Sequence, residues 1–133
     1  SARVGIAETD AFANSDPTEL GRWLEAQIGH PVEIPAISNA ILIGGRVADI
    51  SGQPAASASY LIEGNALTYF ALPAAEIPSA LPAEGWVHMM SSEEFNIVTW
   101  KVAGSVRALV ARMGKRELVA LAQECRRMAS TSN

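Results

Sequence analysis

Few residues in this chain combine a reactive type with a useful spacing. His88-Met89-Met90, with Glu93 and Glu94 close behind, is the densest group. Imidazole and thioether donors suit a soft ion such as copper. On a strand, however, successive side chains point to opposite faces, so His88 and Met90 face one way and Met89 the other. Three ligands cannot converge on one ion from that arrangement, and Met as core filler beside a surface histidine is the expected role. His30, next to Pro31, is the only other histidine, which excludes a His-rich metal site within one chain. Cys125 is the single cysteine, so no internal disulfide and no cysteine cage is available.

Nucleophilic chemistry fares no better. Cys125 falls on the apolar stripe of a predicted helix, where a buried and unreactive thiol is expected. No Gly-x-Ser-x-Gly elbow occurs. The Glu93-Glu94 pair sits in a polar turn and reads as solvated. Gly44-Gly45 lacks the lysine and the third glycine of a phosphate loop, so it reads as a bend or bulge in a strand. The residues therefore nominate no catalytic, cofactor-binding or metal-binding positions, and the chain reads as a non-enzyme.

The elements that would position such groups follow from patterning. Asn96 to Val102 and Ser105 to Ala111 form a predicted hairpin around Ala103-Gly104. A two-residue loop pairs Val102 with Ser105, Trp100 with Arg107 and Val98 with Leu109, although Ala103 suits such a turn poorly and a bulge there would be unsurprising. Trp100 is expected under a covering helix, with Trp23 or Leu24 beside it. Asp16-Pro17-Thr18-Glu19 is a helix start in which Asp16 can cap Glu19. Leu20, Trp23, Leu24 and Ile28 continue it as one stripe, and Gly29 then Pro31 end it, giving a helix over 17–28.

Val32 to Ile37, broken by Pro35, is a short edge strand or an extended connector. Ala40 to Ile50 is a strand. Ala55–Glu63 and Ala66–Leu72 form a second hairpin about Gly64-Asn65, with Tyr60 opposite Tyr69 and Ile62 opposite Leu67. A Pro- and Ala-rich crossover follows through Pro73, Pro78 and Pro82, then a strand from Trp86 to Met90. After Gly114 the period changes to 3.6, and Leu118, Leu121, Ala122, Cys125 and Met128 line a closing helix. Arg126 and Arg127 sit near its end, where cations complement the helix dipole. The sum is an α+β domain: an antiparallel sheet of five to six hairpin-linked strands covered by an N-terminal and a C-terminal helix. Residues 1–15 read as a flexible leader, 16–128 as one domain and 129–133 as a tail.

With 133 residues, 49% of them hydrophobic and 18% charged, the chain can bury the core of one domain. Its net charge of −4 argues against a nucleic-acid partner. No apolar run reaches the roughly 18 residues of a membrane span. The chain opens on Ser1-Ala2 rather than Met, as an excised fragment would.

Two stretches together carry a resemblance. The first is Asp16-Pro-Thr-Glu-Leu-Gly-Arg-Trp-Leu24, then Gly29-His-Pro-Val-Glu-Ile-Pro35, Leu42-Ile-Gly-Gly-Arg-Val47, Pro54-Ala-Ala56 and Tyr60. The second is Val98-Thr-Trp100, the Gly104 turn, Ala108-Leu-Val110 and Glu117-Leu-Val-Ala-Leu-Ala122. From about residue 16 to 125 the chain resembles the extracytoplasmic C-terminal domain of transmembrane anti-sigma factors and related transmembrane regulators of bacteria. Arg107, where a small or aromatic residue is common, departs from that pattern, as do Val102 and Ala103 and the Pro- and Ala-rich crossover.

The resemblance implies a noncatalytic sensory or regulatory domain on the periplasmic side of the inner membrane, serving transcription regulation in a stress response. The full-length protein would be anchored by a single span. The sigma factor would be held by a cytoplasmic Cys/His-containing domain ahead of this region, and the leader would be the membrane-proximal tether. A periplasmic protein or a protease would be the local partner, and a homodimer is compatible. The competing expectation is a free-standing periplasmic module that binds a small molecule or metal.

Overall fold

The computed structural model describes residues 6–13, 15–29, 31–50, 53–73, 87–91, 94–102 and 105–131. Their order is β1 (Ile6–Ala13), α1 (Pro17–Ile28), β2 (Ala40–Ile50), β3 (Gln53–Ile62), β4 (Asn65–Pro73), β5 (Val87–Ser91), β6 (Asn96–Val102), β7 (Ser105–Ala111) and α2 (Lys115–Thr131). All the strands join one antiparallel sheet in the order β1-β2-β3-β4-β7-β6-β5. The chain is α+β, an antiparallel sheet with an N-terminal and a C-terminal helix.

α1 forms where its signals place it. Pro17 opens it, Asp16 caps it, and Gly29 ends it in the left-handed conformation at φ 88°, donating to Glu25 O at 2.8 Å. Asp16 Oδ1 accepts from Thr18 N–H at 3.1 Å. Gly114 precedes α2; its carbonyl accepts from Leu118 N at 3.0 Å while its own N–H donates to Glu117 Oε1. α2 runs to Thr131, so Arg126 and Arg127 lie short of its last turn and residues 129–131 are helix rather than tail.

The central hairpin has the expected register, with Val102 opposite Ser105, Trp100 opposite Arg107 and Val98 opposite Leu109. Its pairing is regular over that whole length, and the loop residues Ala103 and Gly104 lie outside the described ones. The second hairpin is shifted by two residues. Its turn is Glu63-Gly64, both at positive φ (50° and 80°), as a type I′ turn requires. Tyr60 is therefore opposite Leu67, Tyr69 opposite Ala58 and Ile62 opposite Asn65. In β2 the register slips between Leu42 and Gly44, so Ile43 is the extra residue beside the glycine pair.

One further segment departs from the sequence reading. Ile6–Ala13, placed in a loose leader, is an edge strand antiparallel to β2. It raises the strand number to seven, above the expected five to six. Of the two expectations for Val32–Ile37 the connector holds: residues 31–37 form no strand and run as a strap between α1 and β2.

The helices divide one face of the sheet between them. α1 packs on β2 and β3, and α2 packs mainly on β6 with β5 and β7 beside it. Trp100 is 3% exposed and belongs to the same core as Leu24, but the helix over its strand is α2, not the N-terminal one. Under α1 the fit is set by Gly45. A Cβ there would collide with the Ser57 carbonyl and stand 3.0 Å from the Leu20 side chain. Helix and sheet can meet closely only because that position is bare.

Candidate functional site

The strap is pinned from beneath by two tyrosines of adjacent strands. Tyr60, on β3, donates its hydroxyl to Pro35 O at 2.5 Å. Tyr69, on β4, donates to Glu33 O at 3.3 Å. Both rings are buried on the helix-covered face, and the phenols satisfy carbonyls that the strap's lack of strand pairing would leave open. From above, Glu124 of α2 accepts from both the N–H (2.9 Å) and the hydroxyl (2.8 Å) of Ser38. The strap thus ties α2 to the α1 side of the sheet.

Behind Tyr69 stands Arg107, half-buried on the same face as Leu109. Its Nη1 donates to Tyr69 Oη at 2.9 Å and its Nε to Ser105 Oγ at 2.6 Å. Burial pushes the Tyr60 and Tyr69 phenols well above their ordinary value, so both stay neutral donors; the Arg107 charge partly offsets this at Tyr69. Cys125 faces the same layer. Burial, helped by Glu124, pushes its thiol up to about 12, while Arg107 pulls the other way. A thiol in that state is not a nucleophile at neutral pH.

Of the residues singled out from sequence, few have described side chains. In the backbone register His88 is opposite Thr99, Met89 opposite Val98 and Met90 opposite Ile97. The side chains of these three residues, together with His30 and Glu93, lie outside the described ones. Glu94 is exposed and ion-paired with Arg112 at 2.6 Å, and Arg112 also stacks over Phe95 at 5.4 Å. Among the described residues no group of three His, Cys, Asp or Glu is placed to hold a metal. No helix formed by them is long and apolar enough to cross a membrane. A groove of about 370 Å³ runs between α1 and the strap, with Arg22, Glu25 and Glu33 on its walls. Gly21 allows that approach, since a Cβ there would lie 2.9 Å from Val32 O.

The cluster of Tyr60, Tyr69, Arg107 and Cys125 was not assembled by sequence reasoning. One signal was present: in the alternation of β7, Arg107 shares parity with Leu109 and Ala111, so a cation occupies a core position. No protein-family model, no curated protein and no solved structure matches this chain.

Proposed function

We propose that this chain is a noncatalytic regulatory domain of a membrane-bound, anti-sigma-factor-like transcription regulator, lying on the extracytoplasmic side. The observation that supports this reading most is where the resembling residues sit. Leu20 and Leu24 of the first motif are fully buried, and Gly45 of the third receives Leu20. Pro35 of the second accepts the hydroxyl of Tyr60, which belongs to the same pattern. Trp100 of the later motif is buried beneath α2. These positions specify packing rather than chemistry, as a sensory or shielding module requires.

Under this proposal the domain acts through the state of its tether. β1 is zipped along the edge of β2, and a protease takes a segment as unpaired extended chain. Cleavage there requires β1 to leave the sheet, so the folded domain protects its own leader. The test uses the whole gene in cells that report expression from the partner sigma factor. Leu118→Ala, at a fully buried position of α2, should cost about 2–5 kcal/mol and raise target expression without any stress. Removing residues 16–128 should do the same. Repression that stays complete in both strains and is still relieved by stress would sink the proposal. A signal peptide in place of a membrane span upstream would favour a free-standing binding module.

A further inference from the structure

The groove between α1 and the strap carries charges of both signs on its walls. Arg22 and Glu25 stand on the helix wall and Glu33 on the strap wall, all three of them exposed. Among the described residues, the side chains of Arg22 and Glu25 enter no hydrogen bond and no ion pair. They lie three positions apart on α1, where Cβ atoms are neighbours at about 5–6 Å on one helix face. A guanidinium and a carboxylate thus stand side by side over a cavity, and neither is engaged.

The groove between them is already shaped. Its floor is the buried Gly21, with the half-buried Pro17 and Val32 beside it, so apolar surface lies beneath the two charges. The strap wall is held from outside the groove, by the Tyr60 and Tyr69 hydroxyls and by Glu124 at Ser38. At about 370 Å³ the space falls within the roughly 300–1,000 Å³ of small-molecule sites. An occupant need not pay for ordering a wall that the fold has fixed.

We propose that this groove binds a free aliphatic α-amino acid, its carboxylate on Arg22 and its ammonium on Glu25. A simple anion would face the carboxylates of Glu25 and Glu33, and a simple cation would face Arg22. A zwitterion meets an opposite charge at each end. An α-amino acid carries both charges on one carbon, which suits counter-charges a single helical step apart. The guanidinium fork matches the planar carboxylate, and the hydrocarbon side chain lies over Pro17 and Val32. This inference goes beyond the regulatory proposal, and it is tested on the purified chain whatever the reporter strains show.

The experiment titrates the isotope-labelled chain with L-leucine. N-acetyl-L-leucine, which lacks the ammonium, L-leucinamide, which lacks the carboxylate, and sodium chloride are run beside it. The readouts are the Nε–H resonance of Arg22, assigned by its loss in Arg22→Gln, and the melting temperature. Leucine should shift that resonance saturably and raise the melting temperature, and each capped analogue should bind at least about tenfold more weakly. Arg22→Gln and Glu25→Gln, both at exposed helix positions, should each weaken leucine binding by a similar factor while the chain stays folded. Arg22→Gln should also erase the preference for leucine over leucinamide, and Glu25→Gln the preference over N-acetylleucine. A resonance that moves no more with leucine than with chloride would overturn the proposal. So would an equal response to either capped analogue, or unchanged affinity in either variant.

Discussion

The two halves of the helix-covered face are built on opposite principles. Under α1, Leu20 and Leu24 meet Gly45, Ala56 and Ala58, all small and buried, and the contact is close and apolar. Under α2, the layer mixes Trp100, Val98 and Leu109 with Arg107, Tyr69 and the buried part of Arg126. The first half gains stability from shape. The second gives some of it up to keep polar groups inside, and such concessions mark the places where a fold has a task beyond standing up.

That contrast can be broken at several points. Trp100→Ala should cost about 3–5 kcal/mol, measured by urea unfolding, because a large buried ring leaves a cavity between sheet and α2. An unchanged midpoint would mean that the α2 side is not a packed layer. Gly45→Ala should cost about 1–3 kcal/mol on the α1 side through overpacking against Leu20 and the Ser57 carbonyl. A neutral effect would show that α1 rides loosely, and the contrast would fail from its other end.

A smaller effect should appear with alkali. The folded-state value of Cys125 is raised to about 12, above the ordinary 9.0. Its contribution is therefore fully present below about pH 9 and is lost as pH rises from there toward 12, because the unfolded chain ionises first. Between pH 8 and pH 10 the wild type should lose about 1.4 kcal/mol more stability than Cys125→Ala. Parallel stability curves for the two proteins would place the thiol in water and remove it from the polar half.

How far the sequence carried depends on the kind of interaction. α1 was legible to the residue because Asp16, Pro17 and Gly29 act locally. The β6–β7 register was legible because a two-residue loop leaves one way to pair the flanking strands. The β3–β4 turn slipped because Glu63 takes a positive φ that its residue type does not announce, which moved the loop one residue back and the partner of Tyr60 by two. β1 was missed since Ile6–Ala13 has weak alternation, and its pairing is supplied by the β2 edge. The polar cluster stayed hidden for a related reason. Tyr60 and Tyr69 reach across to strap carbonyls Pro35 and Glu33, and such contacts leave no local pattern. Only Arg107, a charge in a core register, betrayed it.

The order of strands has a consequence for assembly. β1 to β4 follow one another in sequence and in space, as do β5 to β7, and each run carries its own helix. The two runs meet along a single seam, β4 against β7, seven residue pairs long from Leu67–Ala111 to Pro73–Ser105. Closing the β3–β4 hairpin spans only Glu63 and Gly64, whereas closing the seam brings together residues from Pro73 to Ser105 with β5 and β6 between them. Loop-closure entropy makes the seam the costlier join, so it forms after the hairpins and sets the folding rate. The Tyr69–Arg107 hydrogen bond crosses that seam, so a cation at a core position also serves as a rivet between the two runs of strands.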